Sequence, residues 1–224
     1  KKAITFKDAT IQMLNNIDCG NKNAFNNKFI PIGNETNSFQ GTFDGNDKTI
    51  TGLYIEQETD NAGLFGYILN AEIKNLKMQN CKVVSTNWVG SFVGYANNSS
   101  ISNCSAEETE VSGGQYYVGG IVGEVMSGGV ATITNCYNTG SVSGTGNYVG
   151  GILGFVRSGV ATITNCYNTG SVSGSENVGG ILGNAGGTTT ITNCYNTGSV
   201  SSSGNVNIGG IVGGVQGRAT ITNC

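Results

Sequence analysis

The string Thr132-Ile133-Thr134-Asn135-Cys136-Tyr137-Asn138-Thr139-Gly140-Ser141-Val142-Ser143-Gly144 recurs unchanged from Thr162 to Gly174, and again from Thr190 as far as Ser201. A further copy begins at Thr220. Ser100-Ile101-Ser102-Asn103-Cys104 and Ile73-Lys74-Asn75-Leu76 read as divergent earlier copies, and Ile50-Thr51-Gly52-Leu53 as the first. Their last positions form a column, Leu53, Leu76, Cys104, Cys136, Cys166, Cys194 and Cys224, spaced 23 to 32 residues apart. A second column keeps step with it through Gly63-Leu64-Phe65-Gly66, Gly120-Ile121-Val122-Gly123, Gly151-Ile152-Leu153-Gly154, Gly180-Ile181-Leu182-Gly183 and Gly210-Ile211-Val212-Gly213. Two markers in step mean one structural unit per period of about 30 residues.

Helix is excluded by content. Gly alone supplies 37 of 224 residues, Ser, Thr and Asn fill each period, and no segment places apolar residues at i, i+3, i+4 and i+7. Each period holds three short β-prone pieces between Gly or Asn punctuation, and none can bury its few apolar side chains alone. Stacking the units solves this, because each position then lies about 4.8 Å from its own copy. The expected fold is all-β, a right-handed parallel β-helix with about 30 residues per coil and three short sheets. Residues 1–60 form leading rungs and residues 61–224 the repeats proper, in one continuous solenoid. Ile133, Ile163, Ile191 and Ile221 stack inward. Asn135, Asn165, Asn193 and Asn223 turn a corner, where Asn tolerates the left-handed conformation and its amide can bond to the copies above and below. Cys104, Cys136, Cys166, Cys194 and Cys224 point inward as small polarisable filler.

The G-L-x-G element, read literally in Gly63-Leu64-Phe65-Gly66, and the following I-x-N-C-Y-x-T-G-x-V resemble the GLUG repeat of large bacterial cell-surface and secreted proteins. These include adhesin-like chains and immunoglobulin-A-cleaving metallopeptidases. Phe29-Ile30-Pro31-Ile32-Gly33 and the stretch from Phe39 to Leu53 are similar to the element that leads such arrays, and Leu14-Asn15-Asn16-Ile17-Asp18-Cys19 to the strand before it. The resemblance implies an extracellular or cell-surface location and a β-helical stalk. It carries over no catalytic site, because the metallopeptidase's zinc-binding His pair has no counterpart in a chain without His.

The missing His removes Ser-His-Asp and Cys-His nucleophiles and His metal ligands. A net charge of −3 argues against nucleic acid, and apolar runs such as residues 149–156 are too short to span a membrane. Seven Cys in an extracellular chain would suggest disulfides, but stacked Cβ bonds run parallel and suit the disulfide torsion poorly, so free buried thiols are expected. Asp44-Gly45-Asn46-Asp47 reads as a tight turn before a strand in preference to a Ca²⁺ loop. Only Glu124 and Glu176 among the acids, and Arg157 and Arg218 among the bases, lie beyond residue 112. Paired carboxylates for glycoside hydrolysis would therefore have to come from Glu56/Glu58 or Glu107/Glu108/Glu110, which read better as solvated loop charge.

Two repeated features are candidate interaction faces. Tyr137, Tyr167 and Tyr195 form an aromatic ladder, with Trp88, Tyr116, Tyr117 and Tyr148 near the coil entries. Such a ladder stabilises a parallel sheet or stacks on sugars. Thr132/Thr134, Thr162/Thr164, Thr190/Thr192 and Thr220/Thr222 flank an inward Ile and share an outward lattice of about 4.8 by 7 Å, similar to the surface of solenoid antifreeze proteins. The lattice fails at Ser100/Ser102 and Glu72/Lys74. The expected function is a non-enzymatic stalk or adhesion segment with no cofactor or metal, meeting a host glycan or protein. Ice binding through the Thr array and a polysaccharide-binding or polysaccharide-degrading β-helix are the alternatives. The chain opens Lys1-Lys2-Ala3 and stops at Cys224 within a repeat, which reads as a fragment whose last rung would associate end to end.

Overall fold

The columns of the sequence become ladders. The computed structural model describes residues 6–23, 28–58 and 60–224. Among these residues there is no helix, and 25 short strands form three parallel sheets of 12, 7 and 6 strands. On the first sheet one register runs Thr10, Thr42, Glu72, Ser100, Thr132, Thr162, Thr190, Thr220, which marks seven turns of 28 to 32 residues. The protein is a parallel β-solenoid.

One turn shows the plan. Val130–Thr134 lies on the first sheet, Asn135 turns a corner, and Tyr137–Asn138 continues the same sheet. After Gly140 the chain enters the second sheet as Val142–Gly144 and Asn147–Gly150, then bends through Gly151 and Ile152 into Leu153–Val156 on the third. Inward positions alternate with outward ones, as strand geometry requires. Ile101, Ile133, Ile163 and Ile191 are fully buried in one file, and Ile121, Ile152 and Ile181 in another; Ile221 continues the first file but is exposed, because no further turn covers it here. The N-terminal turns are filled instead by Phe39, Phe43, Phe65 and Phe92.

The first rungs sit in a different register from the one expected. Phe43, and not Ile50, stands below Ile73 and Ile101. Tyr54 pairs with Lys82, so Leu53 lies under Cys81, a residue outside the predicted column, and the column begins at Leu76. Lys48 is the residue that pairs with Leu76, and the Asp44–Asp47 segment before it adds two residues to the strand. That segment is no turn ahead of a strand but a bulge inside Thr42–Thr51, with Asn46 and Asp47 at φ 51° and 55°, and it displaces everything after it.

The Asn corner is a continuous amide ladder. Asn75, Asn103, Asn135, Asn165, Asn193 and Asn223 all have φ of 52–54°. Each Nδ2 donates to the Oδ1 of the residue below at 3.0–3.2 Å, and Asn75 donates to Asp44 at 3.0 Å. Asp44 thus heads the ladder. Its carboxyl is held below the usual range by the Asn46 backbone N–H and the Asn75 amide.

A second ladder escaped the sequence reading. Asn138 and Asn168 are fully buried, and Asn138 donates to Asn168, and Asn168 to Asn196, at 2.8 Å. Asn138 and Asn168 also donate at 2.8 Å to the carbonyls of Gly140 and Gly170, closing each turn on itself. A Cβ at Gly140 or Gly170 would lie 1.8–1.9 Å from a carbonyl oxygen of the turn below, so only glycine fits.

All seven cysteines are free thiols. Cys104, Cys136, Cys166 and Cys194 are buried in one file, and Cys224 continues it at the exposed last rung. Burial pushes Cys136 well above the ordinary thiol range and Cys81 to about 11. Cys166 and Cys194 are raised chiefly by hydrogen bonding with the thiol beneath.

Two outcomes follow. Asn165→Ala removes two ladder bonds and puts a Cβ-bearing residue without amide support at positive φ, costing about 2 kcal/mol, whereas Asn165→Gly relieves the backbone and costs about 1 kcal/mol. Equal losses in urea denaturation would refute the backbone share. In thiol titration Cys224 should react fast, Cys19 slowly, and the five buried thiols only after unfolding. Because Cys81, Cys136, Cys166 and Cys194 are raised, their contribution is intact below the unfolded pKa of about 8.5 and is lost as pH climbs toward the folded values. The melting temperature should therefore hold between about pH 6 and 8 and fall above about 9.

Candidate functional site

The structure brings the predicted face residues side by side. Thr132, Thr162, Thr190 and Thr220 form one row and Thr134, Thr164, Thr192 and Thr222 the next, paired residue for residue. All are exposed or half-buried. Across the Asn corner lies the Tyr ladder. Tyr137 and Tyr167 stack at 4.7 Å and 3° between planes, and Tyr167 and Tyr195 at 5.0 Å and 4°. Thr rows, Asn amides and Tyr rings are three neighbouring tracks along the solenoid axis. Toward the earlier turns a groove of about 430 Å³ runs beside the Asn corner, lined by Asp47, Asn75, Lys77, Asn103, Asn135 and Tyr137 among others and by no Thr of the rows. Toward the N-terminus the Thr rows give way to Ser100/Ser102 and then to the Lys74–Glu72 ion pair at 2.9 Å.

The acidic clusters do not converge. Glu56 meets Lys28 at 2.6 Å and the Tyr54 hydroxyl at 2.8 Å, and Lys28 holds its carboxyl below the usual range. Glu107 pairs with Lys77 at 2.9 Å and accepts from Tyr137, while Glu110 takes Lys22 at 2.8 Å. Among the described residues no group of three or more acids or cysteines is placed to hold a metal ion.

An unpredicted cluster covers the outer side of the third sheet. Trp88, Tyr117 and Tyr148 adopt φ of 49°, 59° and 67°, which throws their rings over residues of that sheet. Tyr117 stacks on Tyr148 at 5.5 Å and on Phe155 at 5.0 Å, and Trp88 on Tyr117 at 5.9 Å. Beneath them Glu124, 0% exposed, lies in register between Tyr95 and Phe155. It accepts from the Trp88 indole N–H and from Arg157 Nε, with Arg157 Nη2 at 3.2 Å. The guanidinium also lies 5.3 Å from the Tyr117 ring centre. Burial pushes the Glu124 carboxyl up against the pull of Arg157 and Trp88, and hydrogen bonding to Glu124 raises Arg157 in turn. The sequence showed the parts, with Trp88, Tyr117 and Tyr148 near the coil entries and Glu124 and Arg157 among only two acids and two bases beyond residue 112, but not that they meet.

The Glug family, described as the GLUG motif, matches residues 87–112, 114–143 and 174–201. The chain carries Glug motifs. The Glug stretch 114–143 is one turn of the solenoid, leaving the second sheet, crossing the third and first, and rejoining the second. The chain is also similar to halomucin of Haloquadratum walsbyi, at 32% identity over 153 residues, covering 56% of this chain and 2% of the length of halomucin. A solved Bacteroides ovatus protein, provisionally described as an immunoglobulin A1 protease, superposes with a TM-score of 0.74 over 99% of this chain and 73% of its own. At 24% identity that likeness concerns the fold.

Removing the guanidinium strands a buried carboxylate. Arg157→Ala should cost about 3 kcal/mol at neutral pH. The folded Glu124 pKa lies above its unfolded value, so its contribution is intact below about pH 4.3 and is lost as pH rises through the folded value. The deficit of the variant should shrink when urea denaturation is repeated near pH 4. A deficit equal at both pH values would remove Glu124 as its source.

Proposed function

We propose that these Glug turns are a non-catalytic section of a larger surface or secreted protein, giving it reach and presenting the first sheet as an adhesive face for a glycan. The carrying observation is the three uncharged tracks of Thr, Asn and Tyr, held in register through successive turns. A stiff row of hydroxyls, amides and ring faces at one spacing suits a repeating polar polymer, which binds through many weak contacts at once. Beyond residue 112 the chain has only two acids. Glu124 is committed to Arg157, which leaves no carboxylate pair there to act as acid and base. The halomucin stretch and the solenoid shared with the Bacteroides ovatus protein support a surface or secreted setting.

The Thr rows also support ice binding as a second reading. One set of assays separates the possibilities. Binding on a glycan and matrix-protein panel is expected, and it should be weakened in a Thr162→Lys variant, which sets no like charge beside another in its column and whose melting temperature stays close to that of the parent. Thermal hysteresis would transfer the face to ice, and binding to a matrix protein alone would transfer it to a protein partner. Release of reducing ends from a bound polysaccharide would overturn the non-catalytic reading.

A further inference from the structure

On the outer side of the third sheet, away from the Thr face, a recess of about 130 Å³ is lined by Glu35, Asp60, Asn61, Tyr67, Trp88 and Tyr95. The Trp88 and Tyr95 rings meet at 80° with centroids 6.0 Å apart, and Tyr67 leans against Tyr95 at 5.0 Å and 44°. The walls are fixed from behind. Trp88 stacks on Tyr117 and donates its indole N–H to the buried Glu124, and the Tyr67 hydroxyl donates to Met126 Sδ at 3.4 Å. On the rim, Asp60 accepts a 2.7 Å hydrogen bond from Asn87 Nδ2. Neither Asp60 nor Glu35 forms an ion pair among the described residues, and the nearby Arg157 is taken up by Glu124.

Aromatic faces and unneutralised carboxylates around one small space both attract a cation. Ring quadrupoles bind a positive charge lying over them, and the acids add direct charge attraction. The recess is well below the roughly 300 Å³ at which sites for drug-sized ligands begin, so it takes a head group and not a whole molecule. We propose that this recess binds an alkylammonium group, either a quaternary ammonium or the amine of a lysine side chain, over Trp88 and Tyr95 with Glu35 and Asp60 supplying the charge. The Tyr95 phenol, pushed up to about 12 first by burial and then by Glu124, agrees with a site that disfavours further negative charge.

Trp88 is the chain's one tryptophan, so its fluorescence reports the recess directly. The chain is titrated with tetramethylammonium chloride, choline chloride and Nα-acetyl-lysine methylamide hydrochloride, with sodium chloride at equal ionic strength and tert-butanol as a neutral isostere. A saturable change with dissociation constants of about 1–10 mM is expected for the cations only. The tighter arm assigns the source, a quaternary ammonium compound or a protein lysine. A Glu35→Gln, Asp60→Asn variant, whose changed side chains are exposed and leave the core intact, should bind at least about tenfold more weakly. The Thr-to-Lys variant should bind unchanged, which separates this site from the adhesive face. A tert-butanol response equal to that of tetramethylammonium, an absence of saturation with every cation, or unaltered binding by the double variant would overturn the proposal.

Discussion

Every position in this solenoid has its counterparts from the neighbouring turns about 4.8 Å up and down the axis, and in the regular turns these are copies of itself. Whatever a column holds must therefore be attractive to itself. Ile and Cys satisfy this by packing, Tyr by offset stacking, and Asn by donating with its amide nitrogen and accepting with its oxygen. Like charges fail the same test, which explains why the most regular turns are almost uncharged. Where charges do occur, in the earlier turns, opposite signs meet: Lys74 lies in register with Asp44 and Glu110 with Lys82, and Lys77 reaches Glu107 diagonally. Stacking also works in the Cys file, where free thiols pack in parallel, an orientation that suits the disulfide torsion poorly.

The columns also change together. Through the early turns one file reads Ile50, Met78, Ala106, and its neighbour Leu53, Cys81, Thr109. From the next turn onward they become Asn138, Asn168, Asn196 and Gly140, Gly170, Gly198. The coupling is steric and electrostatic at once. Removing the inward side chain lets the corner tighten until the Gly carbonyl comes within reach of the Asn amide, and the amide then satisfies a carbonyl that would otherwise be buried without a partner. Asn without Gly would lose that acceptor, and Gly without Asn would leave a void.

The solenoid, its three sheets, and the Ile, Cys and corner Asn columns were legible because each is a same-residue column, and repetition states such a column directly. What was illegible has physical causes. The register of the first turns was misread because Ile50-Thr51-Gly52-Leu53 imitates the repeat although Lys48, five residues before Leu53, is what pairs with Leu76; the short spacing of 23 between Leu53 and Leu76 was the trace. The buried Asn ladder was hidden in full view: Asn138 repeats as faithfully as Asn135, but a polar residue in a repeat is read as exposed unless its partner is known. The Trp88–Glu124–Arg157 cluster joins residues from successive turns that occur once each, and periodicity carries no information about a position that does not repeat.

That last class marks where specificity resides. At one position of the second sheet the later turns use Asn177 and Asn207, at φ 51° and 54°, as a residue type that tolerates the left-handed region. The middle turns place Trp88, Tyr117 and Tyr148 in the same conformation, at about 1–3 kcal/mol each. The covered column of the third sheet changes in step, from Asn184 to Phe155, Glu124 and Tyr95. A repeat that already owns the relaxed solution and departs from it in three consecutive turns, with a buried ion pair to hold the result, is ordered there by something other than the needs of stacking. The stacked columns explain how the rod stands; this interrupted column is where one turn is chemically distinguishable from the next.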